Sequence, residues 1–282
     1  MPVANVRGVN INYEVLGTRG EWIALSPGGR RELGNVRGLA QQLAQRGYRV
    51  LVHDRRNCGL SDIVIGGEQS EYETWADDLH ELLGQLNARP TIVGGSSSGC
   101  RLSLIYALKY PHLVRALLLW RVTGGTFAAA RLTENYYDKY IRAAREGGMA
   151  AVCALEHFQE RIEAKPENRA TLMGMDRDRF VTAMERWRTQ FAKGAELPVI
   201  GASEAELKSI RVPTIIVPGN DKTHSHVVGE TAHRMISGSE VADLFPGDLD
   251  VDLVPPEEWT RKDAEMAAVF ADFLKRRLAQ AA

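Results

Sequence analysis

Between Val9 and Val15 apolar and polar residues alternate: Val9, Ile11, Tyr13 and Val15 against Asn10, Asn12 and Glu14. That period of two predicts a strand with one wet face. A short apolar run over residues 22–25 stops at Ser26-Pro27-Gly28-Gly29. Val36, Leu39, Ala40, Leu43 and Ala44 then recur at helical spacing, and Gly47 ends that helix. Residues 48–53 form another apolar run. Trp75, Leu79, Leu82, Leu83 and Leu86 mark the next helix face, with Thr74 as its candidate N-cap. An apolar stretch over 91–93 breaks into Gly94-Gly95-Ser96-Ser97-Ser98-Gly99. A helix follows to Pro111, and residues 113–122 predict one more strand. Strand and helix alternate throughout, so the fold class is α/β: a mostly parallel sheet with helices on both faces.

The rhythm stops near Gly124-Gly125. From Ala128 to Ser209 the chain is helix-like and strongly charged, with Tyr136, Tyr137, Tyr140, Phe158, Phe180, Trp187 and Phe191 scattered through it. Strand character resumes over 212–217, and a terminal helix carries Met266, Val269, Phe270, Phe273 and Leu274 on one face. Residues 1–125 and 211–282 are therefore read as the core, and 126–210 as a helical cap or lid over the sheet edge. A helical extension on the side of the sheet is the plainer alternative. The aromatics either line an apolar pocket or form the insertion's own core.

Charge narrows the partners. With 35 basic and 36 acidic residues the net charge is −1, so nothing argues for nucleic acid or an anionic membrane. No apolar run approaches the roughly 18 residues of a membrane span, and residues 1–7 carry no signal-peptide pattern. Cys58, Cys100 and Cys153 are odd in number, far apart and without metal spacing, which suits a reducing compartment. The expectation is a cytoplasmic protein with a small-molecule substrate and neither nucleic acid nor membrane as partner; its oligomeric state is open.

The candidate chemistry centres on Ser97. Gly95 and Gly99 bracket it in the G-x-S-x-G pattern of a nucleophile elbow, where a tight strand-to-helix turn lifts a serine out of the sheet. The bend strains the backbone at the serine, and side chains on its flanks would collide. Ser96 is bracketed less well, by Gly94 and Ser98. A glycine-serine loop at a helix start also suits phosphate, but no Gly-Lys-Ser/Thr follows.

Joined to this elbow is Asp54-Arg55-Arg56-Asn57-Cys58-Gly59-Leu60-Ser61. It resembles the D-x-R-G-x-G-x-S turn of the α/β-hydrolase superfamily, with Asn57, which tolerates positive φ, in place of the first glycine. Pro111 falls where that superfamily ends the helix after the nucleophile. The resemblance covers most of the chain outside the insertion. It implies a Ser97 nucleophile and an oxyanion hole formed by the Ser98 N–H and the Ser26-Pro27-Gly28-Gly29 turn. Pro27 has no N–H, so Gly28 or Gly29 is the second donor. Arg30 and Arg31 follow, either holding a substrate carboxylate or lying in solvent. Asp221, in Gly219-Asn220-Asp221-Lys222-Thr223-His224, matches the acid position; its alternative is a turn aspartate capping its own loop.

The superfamily places its histidine on a loop shortly before the terminal helix. Here that region holds Gly247-Asp248-Leu249-Asp250-Val251-Asp252 and no histidine. His53 reads as a strand residue, His80 and His112 as helix-face residues, His157 as part of the insertion and His233 as part of a later helix. Three readings stay open. His224 (or His226) is the base, reaching Ser97 from the acid loop; a carboxylate in 247–252 replaces it; or the triad is incomplete, Leu249 standing where a histidine is expected. The first implies a cofactor-free, metal-free serine hydrolase acting on an ester, lactone or activated C–C bond. The last leaves a non-hydrolytic enzyme of lyase, cyclase or cofactor-free oxygenase type, or a small-molecule binder.

Overall fold

The computed structural model describes residues 2–245 and 247–279. Among them eight strands form one sheet: β1 (Val3–Val6), β2 (Val9–Leu16), β3 (Trp22–Ser26), β4 (Arg49–His53), β5 (Thr91–Ser96), β6 (Val114–Trp120), β7 (Thr214–Val217) and β8 (Glu240–Val241). Their order is β1-β2-β4-β3-β5-β6-β7-β8. β2 runs antiparallel to β1 and β4, and every neighbouring pair from β4 to β8 is parallel. The predicted α/β class is the one observed. The edge strands β1 and β8 went unread because four and two residues are too few to display a period.

The helices, in chain order, are α1 (Gly34–Gln45), α2 (Glu71–Gln85), α3 (Ser98–Lys109), α4 (Gly125–Thr133), α5 (Lys139–Cys153), α6 (Glu156–Ala164), α7 (Glu167–Met173), α8 (Arg177–Ala192), α9 (Glu204–Ser209), α10 (His226–Met235), α11 (Pro256–Thr260) and α12 (Asp263–Ala279). A π-helical turn, Glu134–Asp138, joins α4 to α5. Successive strand residues face opposite sides of the sheet. Leu51, Val93, Leu117 and Ile216 join the core that includes Leu79 and Leu83 of α2 and Leu102 of α3. Val50, Val52, Ile92, Leu118 and Val217 join the opposite core, with Leu39 and Leu43 of α1 and Phe270 and Phe273 of α12. Each buried aliphatic side chain stabilises the fold by about 1.5–3 kcal/mol, which fixes the strand register and thereby what lies at the strand ends.

Three local expectations are corrected. Ser70, not Thr74, caps α2. Its hydroxyl accepts the Glu73 N–H at 3.2 Å while Glu73 accepts the Ser70 N–H at 3.0 Å, a capping box. Thr74 lies in the first turn and donates its hydroxyl to the Ser70 carbonyl at 3.0 Å. β6 stops at Trp120 rather than residue 122, because Arg121 adopts φ +56° and turns the chain out of the sheet. His112 is an exposed residue of the 3-10 turn Pro111–Leu113, since α3 has already ended at Lys109.

Between β6 and β7 the chain is built of helices α4 to α9, with their own aromatic interior. Tyr137 and Phe191 lie 5.6 Å apart, Tyr140 and Phe158 5.1 Å, and Phe158 and Phe180 6.3 Å, all buried. Most of these aromatics therefore hold the insertion together. The Trp187 indole donates to the Gln69 carbonyl at 3.2 Å, and Lys165 pairs with Asp62 at 2.7 Å, tying the insertion to the sheet domain. Among the described residues no helix is long and apolar enough to cross a membrane.

Candidate active site

At the junction of β5 and α3, Ser97 has φ +53° and ψ −107°. A non-glycine residue held there stores roughly 1–3 kcal/mol of strain. Close backbone contact enforces the bend. A Cβ on Gly95 would lie 2.4 Å from the Gly99 carbonyl carbon, and one on Gly99 would lie 2.1 Å from the Ser26 carbonyl oxygen. The Ser97 N–H donates to Trp120 O at 3.1 Å, which ties the bend to β6. Ser97 is 7 % exposed and lines the floor of a cleft.

The hydroxyl of Ser97 lies 2.9 Å from His224 Nε2, and His224 Nδ1 lies 2.9 Å from Asp221 Oδ1. Acid and imidazole come from one turn after β7. The His224 N–H donates to the Asp221 carbonyl at 3.0 Å and to its Oδ1 at 2.8 Å, so the loop folds back on itself within four residues. The far carboxylate oxygen, Oδ2, accepts from the Val254 N–H and from Arg121 Nη2, each at 2.9 Å. Asp221 is thus oriented on both oxygens, and with its Nδ1–H donated to Asp221 His224 presents the Nε2 lone pair to the Ser97 O–H.

Burial pushes the His224 imidazole down to about 4, the nearby Arg121 guanidinium adds to the push, and Asp221 pulls the other way. The ring is neutral at pH 7. Burial would raise the Asp221 carboxyl, but its hydrogen bonds with His224 and Val254 and the charge of Arg121 outweigh it and hold the group well below the usual carboxylate range. Arg121 is itself buried, with its guanidinium 5.2 Å from the Trp259 ring centroid. Sequence reasoning missed Arg121 and Val254. For Arg121 the signal was a charge closing an apolar strand; for a backbone N–H there was none.

Ser98 opens α3, so its N–H lies at the positive end of a helix. The Gly28-Gly29 turn stands against the serine: a Cβ on Gly28 would be 3.3 Å from Ser97 Cβ. Arg55 takes the turn's carbonyls, donating Nη2 to Gly28 O at 3.2 Å and Gly29 O at 2.7 Å. Among the described residues the Gly28 and Gly29 N–H groups have no protein acceptor. The Asp54 turn braces the same region. Asp54 accepts the N–H groups of Leu33 at 2.6 Å and Leu60 at 2.8 Å, Asn57 has φ +68°, and a Cβ on Gly59 would strike the Asp54 carboxylate.

Other sequence candidates lie elsewhere. His226 starts α10 and faces Glu230 and Asp243, at 3.6 and 3.4 Å. Asp248 accepts the Ser225 hydroxyl at 2.6 Å and the His226 N–H at 2.7 Å; Asp250 pairs with Lys222 at 2.7 Å. Leu249 is exposed, and its N–H donates to the Asn220 carbonyl. Arg30 fits neither of its two expectations. It is buried, pairs with Glu71 through both carboxylate oxygens and donates to the Tyr136 carbonyl at 3.3 Å, so its charge is neutralised within the protein. Arg31 is exposed at the cleft. The cleft, about 790 Å³, lies between the strand ends and the insertion, with Ser97 and His224 on one side and Tyr136, Lys139, His157 and Arg161 on the other.

The comparisons agree with this architecture. A family model described as the alpha/beta hydrolase fold matches residues 23–140. A Bacillus subtilis protein described as an uncharacterized hydrolase is 34% identical over 113 residues, which are 40% of this chain and 41% of that protein. A proline iminopeptidase of Lactobacillus acidophilus is 26% identical over 256 residues, covering 83% of this chain and 86% of its own. The crystal structure of the enol-lactonase from Burkholderia xenovorans LB400 superposes with a TM-score of 0.63 at 22% identity, over 97% of this chain and 100% of that one. These relatives are hydrolases by name, and the family match spans β3, β5, α3 and the turns around Ser97. Strand order, elbow and sequence match converge on one placement: the chain has the α/β-hydrolase fold.

Proposed function

We propose that this protein is a serine hydrolase that cleaves a small or medium organic ester, lactone or activated C–C bond through an acyl-enzyme, with residues 126–210 acting as a cap over the site. The observation that carries the reading is the unbroken relay Ser97–His224–Asp221, with 2.9 Å at each step. Ser97 Oγ attacks the substrate carbonyl while its proton passes to His224 Nε2. Asp221 stabilises the imidazolium that forms. The oxyanion receives the N–H groups of Ser98 and of Gly28 or Gly29, held ready by the helix start and by Arg55. Collapse of the tetrahedral intermediate expels the leaving group, which takes the proton from His224. Water, deprotonated by the same nitrogen, then attacks the acyl carbon and regenerates Ser97. The first proton transfer of this cycle runs between two groups already in contact, Ser97 and His224.

A fluorophosphonate probe and a p-nitrophenyl ester test the reading. Wild type should be labelled and should turn over the ester. Ser97→Ala should take no label and lose at least ~10³-fold in kcat/KM, retaining only what binding and the oxyanion donors supply. A folded wild-type protein that takes no label overturns the acyl-enzyme route.

A further inference from the structure

Five arginines are buried near the site, and four have partners. Arg30 pairs with Glu71, Arg121 with Asp221, Arg55 holds the Gly28 and Gly29 carbonyls, and Arg101 donates to Ile200 O at 2.9 Å and Thr123 Oγ1 at 2.8 Å. The fifth, Arg161 of α6, is 6 % exposed and lines the cleft. Its Nε and Nη1 are buried without a hydrogen-bond partner, and among the described residues no carboxylate lies within ion-pair distance. One helical turn earlier His157 lines the same cleft, its Nε2 also buried and unpartnered. Burial and the charges of Arg30 and Arg161 hold its imidazole well below the ordinary value, against a hydrogen bond to the Asn57 backbone; the ring is neutral, its one N–H is turned to Asn57, and Nε2 faces the cleft as an acceptor. Glu156, Glu160 and Glu163 also line the cleft, but each is exposed on its rim and none reaches Arg161.

An uncompensated buried guanidinium is a standing cost to folding, and its planar fork matches a carboxylate through two parallel hydrogen bonds. We infer that the substrate is an anion: a carboxylate seated on Arg161, while the scissile carbonyl of the same molecule reaches Ser97. This rests on the serine hydrolase reading and narrows it to esters, lactones or ketones of dicarboxylic acids. Arg161 binds and selects; it takes no part in bond breaking.

The test compares mono-p-nitrophenyl esters of succinic, glutaric and adipic acid with the same esters methyl-capped at the free carboxyl. At one chain length or more, wild type should prefer the anion by at least tenfold in kcat/KM. In Arg161→Met that ratio should fall to near one, with Arg161→Lys between. The melting temperature of Arg161→Met should equal or exceed that of wild type, because an unpaired buried charge has been removed; a purely structural arginine predicts a fall. A wild-type ratio near one at every length, or a ratio that survives Arg161→Met, overturns the inference. If folded wild type turns over none of these esters, the hydrolase reading fails separately, and the anion site is judged by binding. Millimolar glutarate should then raise the melting temperature of wild type and not of Arg161→Met; no rise in wild type overturns the site as well.

Discussion

Two loops meet beside the sheet, and they divide the work unequally. The turn after β7 buries Asp221 and His224 completely enough to set their protonation. The segment 247–252, where the superfamily resemblance places the histidine, has three aspartates and spends them on other tasks. Asp248 holds the start of α10, and Asp250 and Asp252 face Lys222 at 2.7 and 4.0 Å, while the Asp252 backbone carbonyl accepts from Thr223. The second loop thus serves as a brace for the first. The contrast teaches that a base is defined by which side chain a turn carries back to the serine, not by how far along the chain it stands. A spacing of three residues suffices when the turn closes on its own aspartate.

The sharpest way to break this comparison is to remove the turn's histidine and, separately, the one at the start of α10 that the second loop holds. His224→Ala should lower kcat/KM by on the order of 10⁴-fold or more, whereas His226→Ala should stay within about twofold. Ester hydrolysis rates for the two variants decide it, and similar losses in both would abolish the division of labour.

A smaller effect sharpens the electrostatic side. Protonated His224 cannot accept the Ser97 proton, so the acid limb of kcat/KM should fall through about pH 4. Arg121→Met removes a charge that depresses the imidazole, and the limb should move upward by about one unit toward the ordinary value. The same depression has a stability sign. Between about pH 6.5 and about pH 4 the unfolded chain binds a proton that the folded one refuses, so stability falls as pH drops through that window. Thermal melts across it should show the fall.

The mildest perturbation strikes the bracing loop. Asp248→Ala removes two acceptors from the start of α10 and should cost about 1 kcal/mol, or roughly 2–4 °C in Tm, with activity retained. Calorimetry beside an ester assay checks both halves.

The sheet and the elbow were legible because both rest on local rules. Short apolar runs mark strands buried on two faces and alternation marks one with a wet face, and the glycines beside Ser97 answer contacts made by neighbouring backbone. The capping box at Ser70 was equally local: Ser-x-x-Glu stood in the sequence, while attention to the first apolar residue drew the reading to Thr74. His224, His226 and the 247–252 carboxylates could not be separated by spacing alone. Which of them points at Ser97 depends on a reversal of the backbone that Asp-Lys-Thr-His does not announce. Arg30 and Arg31 look alike side by side, yet one is buried on a glutamate 41 positions away and the other is exposed. That long-range pairing has no signature in the run of the chain, and neither has the absence of a partner at Arg161.

Housing acid and base in a single turn has a mechanical result. The Asp221–His224 pair travels as one piece, so a displacement of the edge of the sheet leaves their mutual contact intact. Only one gap, from Ser97 to His224, must be maintained between separate parts of the chain, and β6 is the single strand that sets it, lying between the strand that delivers the serine and the strand that delivers the turn. Alignment of this relay therefore reduces to the tolerance of one strand's width.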